Sequence, residues 1–377
     1  MSCTNLYVSG VQRSVLVETL LRRAPLAVVA ALLSAPTSVH ARDSSPTAAK
    51  ESGVKQPREL GAVRWLRDFD AATAGAKRAN KPMLVLFDEV PGCHTCVSYG
   101  ETVLSHPLIA EAAETLFVPV AIYNNEGGAD KRVLDMFDEP AWNNPVVRVM
   151  THERTMLAPR VNSDYTRRGI TGAMVGALDK SGVRTPAWLA LLAAEERAHA
   201  GAQAQTAVFG MHCFWEGEAK LGSLDGVLAT RTGFLGGNEV VEVTYDPAMV
   251  AYKDLLSAAR QMQCATSVYT RDEAQQKAAA ALVGSLASRS NEPIRPSTKD
   301  DAYQIRSTVY ASVPMTPAQQ TRVNAAVGLG RDVGDLLSPR QLELARRLER
   351  IAANRRPMLI GRTDLAAAWR DAERAAN

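Results

Sequence analysis

The chain has 377 residues, with 43 lysines and arginines against 40 aspartates and glutamates, and 46% of its residues are hydrophobic. That length predicts about two domains, each large enough to bury a core. The near-balance of charge, with 22% charged residues, excludes an acidic disordered chain and argues against a nucleic-acid partner. No run of 18 or more apolar residues is present, which excludes a multi-span membrane protein. Five cysteines are too few for a disulfide-stapled scaffold, so each is read singly.

In chain order, Arg22 and Arg23 precede an apolar run from Ala24 to Leu33, which leads to Val39 and Ala41 at the small-residue positions of a cleavage site. A basic stretch, a short apolar run and a small-residue exit predict a secretory signal over residues 1–41 and a periplasmic or secreted protein, with a membrane partner only if the segment stays as an anchor. Cys3 would leave with it, and Cys93, Cys96, Cys213 and Cys264 would face an oxidising compartment. Residues 42–60 are Ser-, Pro- and Lys-rich and read as a flexible linker.

A first domain is expected over 61–200. Its spacing predicts a helix from Trp65 to Ala79, a buried strand over Pro82–Phe87, a helix from Cys96 to about Ala113 and a strand over Leu116–Tyr123. A hairpin of Asn144–Met150 and Met156–Val161 and two amphipathic segments, Gly172–Leu178 and Pro186–Ala198, complete it. A second domain is expected over 204–377. It reads as strand Thr206–Gly210, helix Phe214–Leu224, strands Val227–Phe234 and Glu239–Tyr245, and a helix to about Met262 capped by Asp246-Pro247. A last strand over Tyr303–Ala311 would give the β-α-β-β-α-β order of a split βαβ fold, followed by a largely helical extension. The expected class is thus α/β followed by α+β.

Cys93-His-Thr-Cys96 falls after a buried strand, at the start of a helix. A helix N-terminus stabilises a thiolate, which makes Cys93 the nucleophile, while Cys96, one turn on, resolves the mixed disulfide. His94 between them is expected to raise the redox potential. The alternatives are a structural disulfide or half of a zinc site. Zinc needs two more ligands, and no second CxxC or HxxxH is present, so no metal and no cofactor is expected. The strand Met83–Phe87, the CxxC and Pro145 at the opening of the next hairpin together resemble the thioredoxin family over roughly residues 60–180. The resemblance implies a redox-active disulfide, with Pro145 as the cis-proline that helps receive the substrate chain. Val90-Pro-Gly92 stands where the family usually has a tryptophan, and Asn143-Asn144 precedes the proline.

Cys213 also lies between a strand and a helix N-terminus, and is followed by Phe214 and Trp215. These two aromatics could wall an apolar pocket beside the sulfur, and Glu239, at a strand start, could donate a proton to a substrate oxygen. Buried packing for the aromatics and a solvated edge for the glutamate are the plain alternatives. Cys213-Phe-Trp215 with Glu218, Leu224-Asp-Gly-Val227, Thr232-Gly-Phe-Leu-Gly-Gly237, Glu239-Val-Val-Glu-Val-Thr-Tyr-Asp-Pro247, Gln304, Arg306-Ser-Thr-Val-Tyr310 and Thr316-Pro-Ala-Gln319 together resemble the methionine sulfoxide reductase A family. The resemblance implies that Cys213 attacks the sulfoxide sulfur, Glu239 protonates its oxygen, and Phe214 with Trp215 holds the methyl group. Cys213 is then left as a sulfenic acid that a thiol must restore.

The sequence departs from that family where its two active-site tyrosines stand, which are Phe234 and Ile305 here. Removing one such hydrogen-bond donor costs about 2.7–4 kcal/mol in comparable oxyanion sites. Cys264 takes the place of a family aspartate near the catalytic cysteine, and the family's C-terminal resolving cysteines are missing. The comparison implies that Cys264 resolves the Cys213 sulfenic acid, provided the two Cα atoms lie within about 7 Å. The alternative is a small buried hydrophobe. His106, His152 and His199 read as solvated or capping residues, and Arg340, Arg346, Arg347 and Arg350 as a solvated helix face.

The expectation is an exported reductase of methionine-S-sulfoxide in peptides or proteins, a repair enzyme fed by an upstream thiol–disulfide donor. Its catalytic residues are Cys213, Glu239, Cys93, Cys96 and Cys264; Phe214, Trp215, Phe234 and Pro145 would contact substrate. One alternative is a thiol–disulfide oxidoreductase whose second domain only binds partners. Another is a redox sensor that uses Cys213 and Cys264 without turnover.

Overall fold

The computed structural model describes residues 56–201 and 203–377. The expected signal, and residues 42–55 of the expected linker over 42–60, lie outside the described residues. Its last five residues, 56–60, are built into the fold: Gln56 Nε2 donates to the carbonyls of Gly61 and Val63 at 2.9 Å each, and Leu60 is buried. No described helix is long and apolar enough to cross a membrane.

The first half begins with α1 (Phe69–Ala79), four residues later than the apolar spacing suggested. Asp68 is its N-cap, accepting from Ala71 N, while Leu66 pairs with Val120 instead. Strand β1 (Met83–Asp88) is wholly buried, as a central strand covered on both faces must be. The single helix expected from Cys96 is three pieces: α2 (His94–Tyr99), a π-helical turn (Gly100–Leu104) and α3 (Pro107–Leu116). Pro107 cannot continue an upstream helix, and Gly100 is pressed against the turn at Arg58–Leu60, where a Cβ would stand 2.0 Å from the Arg58 carbonyl oxygen. Strand β2 (Val118–Tyr123) runs parallel to β1.

Helix α4 (Ala129–Met136) was not expected from the sequence; only Val133 and Leu134 among its apolar residues are buried. Strand β3 (Val146–Met150) lies antiparallel on the other side of β1, giving the order β2-β1-β3. The expected second arm, Met156–Val161, makes only isolated bridges from its two ends to Met150 and Val147, because Pro159 within it has no N–H to donate. Helices α5 (Arg167–Lys180) and α6 (Ala187–Ala200) pack against each other and close this half.

The second half follows as β4 (Gln205–Met211), α7 (Phe214–Gly222), β5 (Val227–Leu235), β6 (Asn238–Tyr245), α8 (Tyr252–Gln261) and β7 (Ala265–Thr270). Its sheet carries the order β7-β4-β6-β5, each neighbouring pair antiparallel. Helix α9 (Glu273–Val283) leads to β8 (Ala287–Arg289) at the β7 edge and β9 (Arg295–Pro296) at the β5 edge.

Two expectations are corrected here. Tyr303–Ala311 is not a strand but two 3-10 turns, Tyr303–Ile305 and Val309–Ser312; the fourth strand of the β-α-β-β-α-β series is β7 instead. The Thr308 side chain accepts from Tyr310 N, satisfying backbone locally rather than across a sheet. Asp246 does not cap α8, which starts at Tyr252; its buried carboxylate accepts from Ala248 N and from the Arg197 guanidinium at 2.8 Å.

Three further helices, α10 (Pro317–Gly328), α11 (Pro339–Glu349) and α12 (Leu365–Ala376), form their own core with the two 3-10 turns. They also join the halves. Glu195 of α6 accepts from Ala318 N at the start of α10. Glu111 of α3 accepts from Ser338 Oγ at 2.6 Å and Arg340 N at 2.7 Å at the start of α11. The described residues accordingly make one compact unit.

Candidate functional site

Two clusters of cysteine chemistry stand on two helix N-termini. In the first, Cys93 is the N-cap of α2 and exposed, while Cys96 is buried, with the sulfurs 3.6 Å apart. The Cys96 backbone N–H is the largest influence holding the Cys93 thiol below its ordinary range; side-chain and backbone bonds from Thr95 act the same way. Burial pushes the Cys96 thiol far up, and the adjacent Asp88 carboxyl adds to it. The two thiols are thereby split into an exposed one that ionises more readily and a buried one that ionises less readily.

Asp88, at the end of β1, is fully buried, and that burial raises its carboxyl to about 7, with the neighbouring Cys96 thiol opposing. One of its oxygens has no hydrogen-bond partner among the described residues. The sequence reading missed Asp88, although a carboxylate closing the apolar run Met83-Leu-Val-Leu-Phe87 was a visible signal. Pro145 is buried after a cis peptide bond, and the Cys96 thiol donates to Asn144 Oδ1 at 2.8 Å, so the loop before Pro145 is held against the dithiol. Gly92 N, just before Cys93, donates to Glu59 Oε1 at 2.8 Å. A carboxylate oxygen of Glu89 and the two sulfurs lie within 4.8 Å of one another, the one group among the described residues with three ligand atoms that close together. Counting only cysteines and histidines had left Glu89 out.

In the second cluster, Cys213 is the N-cap of α7 and half-buried. Glu239, at the start of β6, reaches the same helix end: its Oε2 accepts from Phe214 N at 2.8 Å. Phe234 lies opposite Glu239 in the β5–β6 hairpin, and its ring meets that of Phe214 edge-on at 5.5 Å. Arg295 of β9 sits 4.6 Å over the Phe234 ring. Phe214 and Trp215 are 5.9 Å apart. Aromatic surface and one carboxylate therefore converge on the end of the helix that carries the thiol.

Cys264 is buried on the neighbouring segment. His212 N donates to its carbonyl at 2.7 Å, continuing the Met211–Ala265 pairing, so the residue before Cys213 lies directly across from Cys264. Burial is the main cause raising the Cys264 thiol. All four described cysteines are free thiols. Ile305 is wholly buried and presents no hydroxyl.

Glu218, one turn into α7, is buried beneath this cluster, and burial raises its carboxyl to about 7. It accepts from Ala302 N at 3.1 Å, Asn324 Nδ2 at 3.1 Å and Thr230 Oγ1 at 3.3 Å, tying α7 to β5, α10 and the segment before Tyr303. The histidines divide: His152 pairs with Glu153, whereas His106 is the N-cap residue of α3 with a buried, unpartnered Nδ1. Burial, with the Arg167 charge adding to it, depresses the His106 imidazole to about 3; of the two roles expected, solvated or capping, it holds the cap position, though its side chain makes no capping bond. The Arg-rich helix is also partly engaged, Arg340 with Glu114 and Arg347 with Glu373.

Fold and sequence define an α/β protein with a thioredoxin-like domain and oxidoreductase-like homology. The family model that matches is described as thioredoxin-like and spans residues 64–151. Among curated proteins the chain is 40% identical over 72 residues to the peptide methionine sulfoxide reductase MsrA of Methanococcus maripaludis strain C7, covering 15% of this chain and 46% of that protein. It is 44% identical over 69 residues to the MsrA of Salinispora arenicola, covering 14% and 31%, and 41% identical over 64 residues to a peptide methionine sulfoxide reductase of Drosophila melanogaster, covering 14% and 26%. The chain thus spans less than half the length of these curated relatives. Among solved structures, a DsbH oxidoreductase aligns with 33% of this chain and 90% of its own, at 15% identity and a TM-score of 0.28.

Proposed function

We propose that this protein is an exported, thiol-dependent reductase of methionine-S-sulfoxide in peptides or proteins. In this reading it is a thioredoxin-like domain fused to a ferredoxin-like, methionine sulfoxide reductase A-like domain. The observation that carries the reading is the convergence of Glu239, Phe214 and Phe234 on the α7 N-terminus that bears Cys213. The Cys213 sulfur attacks the sulfoxide sulfur while Glu239 delivers a proton to the oxygen. The sulfur–oxygen bond and the transient sulfur–sulfur bond then break as the hydroxyl passes to the Cys213 sulfur, so methionine leaves and Cys213 becomes a sulfenic acid. The Cys264 thiol condenses with it, releasing water and forming a Cys213–Cys264 disulfide. Cys93 attacks that disulfide, and Cys96 completes the exchange, leaving both thiols of the second cluster reduced and a Cys93–Cys96 disulfide for an outside dithiol donor to recharge. One sulfoxide consumes one dithiol and yields one water.

The test uses residues 42–377 with excess dithiothreitol and a peptide carrying the S-epimer of methionine sulfoxide, following methionine by mass spectrometry. Turnover that is lost in Cys213→Ser supports the reductase. A second reading, a thiol–disulfide oxidoreductase whose second domain only binds partners, is favoured by Phe234 and Ile305, which remove both tyrosine hydroxyls. Reduction of insulin disulfides through Cys93 with no methionine formed would select it.

A further inference from the structure

The aromatic cluster at the start of α7, which Cys213 caps, has a member that the sequence reading did not include. Trp215 lies flat against Tyr303, with ring centroids 3.9 Å apart and planes 10° from parallel. Tyr303 is 42% exposed, so the core does not explain why its ring is held there. The residue before it, Ala302, is in the left-handed region at φ 49° and ψ 45°, which a residue with a Cβ adopts only where its surroundings impose it.

Those surroundings are three consecutive anchors. Asp300 Oδ1 accepts from the Trp215 indole N–H at 3.3 Å. Asp301 Oδ1 accepts from Thr232 N at 2.7 Å and Thr232 Oγ1 at 2.9 Å, on β5. Ala302 N donates to the buried Glu218 at 3.1 Å, on the same helix as Trp215. The indole is therefore fixed from two directions, at its N–H by Asp300 and across its face by Tyr303.

Resting on the reductase reading, we propose that Tyr303 is a positioning residue that sets which sulfur substituents reach Cys213. By closing one face of Trp215 and fixing its plane, it confines the apolar space beside the thiol to the size of a methyl group. It does in this chain, by shape, part of the orienting that the hydroxyls absent at Phe234 and Ile305 would have done. Removing the ring opens the covered indole face and relaxes that limit; removing only the hydroxyl leaves the stack in place.

The experiment compares the reduced full chain with Tyr303→Ala and Tyr303→Phe. Each is treated separately with methyl methanethiosulfonate and benzyl methanethiosulfonate, which form a mixed disulfide with the thiol and release methanesulfinate. Modification at Cys213 is followed by peptide mass spectrometry. The proposal predicts that the methyl-over-benzyl rate ratio falls tenfold or more in Tyr303→Ala, in line with what apolar pockets discriminate, and is kept within about twofold in Tyr303→Phe. Matching unfolding curves for the two variants show that the fold is retained; if Tyr303→Ala melts early, Tyr303→Leu replaces it. An unchanged ratio in a folded, ring-deleted variant overturns the proposal. Because labelling needs no sulfoxide turnover, a wild-type chain that forms no methionine but keeps the ratio and its loss would sink the reductase reading and leave this one standing.

Discussion

Cys93 and Cys96 are one helical turn apart, yet burial and Asp88 separate their chemistry. The sign of the pH dependence follows from Asp88, whose carboxyl titrates at about 7 in the fold and near 3.8 when free. Between those values the folded chain holds a proton that the unfolded chain has released. The contribution to stability is therefore greatest below about 3.8, falls as pH rises to about 7, and is flat above. At about 1.4 kcal/mol per pH unit the span is at most about 4 kcal/mol. Urea unfolding of the reduced protein at a series of pH values should show Asp88→Asn gaining on the wild type across that window and holding its advantage above it. A constant offset between the two would contradict the assignment. At the second cluster, Glu239→Gln keeps an oxygen to accept from Phe214 N but has no proton to give. Sulfoxide turnover is expected to fall about 10²–10⁴-fold, with insulin reduction through Cys93 unchanged. Equal losses in both assays would point to a structural effect.

At the scale of elements, the C-terminal helices bind the two halves through their capped starts. Glu111 is fully buried and satisfies both Ser338 Oγ and Arg340 N. Glu111→Ala would leave those donors unpaired, costing about 1–3 kcal/mol, read as an earlier transition in chemical unfolding; an unchanged midpoint would mean the contact is not made in solution. What the sequence revealed and what it hid divide along the same line. The CxxC, the Cys-Phe-Trp run and the strands around them were legible because their signals are local: an apolar run, then a cysteine, then a helix start. Strand β7 was hidden because Ala265-Thr-Ser-Val-Tyr-Thr270 buries only Val268 and Thr270 and alternates weakly. Tyr303–Ala311 looked like a strand because it is rich in β-branched and aromatic residues, of which 3-10 turns bury Ile305 and Val309. Glu111, Asp88 and Tyr303 act across 227, 8 and 88 positions of the chain respectively, toward Ser338, Cys96 and Trp215, and only the shortest of these spans left a trace that spacing could show.

For the whole molecule, one compact unit carries both thiol clusters, so in the proposed relay the dithiol and its neighbour's disulfide belong to one chain and need no second molecule. The proposed relay has a definite capacity. The most direct measurement is the methionine formed per chain when the fully reduced, desalted protein is mixed anaerobically with excess S-epimer sulfoxide peptide and no outside reductant. Four thiols make two disulfides, so the account predicts two methionines per chain, falling to one in Cys93→Ser/Cys96→Ser, with a Cys213–Cys264 disulfide mapped in that variant. No methionine from the wild type would contradict the reductase, and one per wild-type chain would contradict the relay.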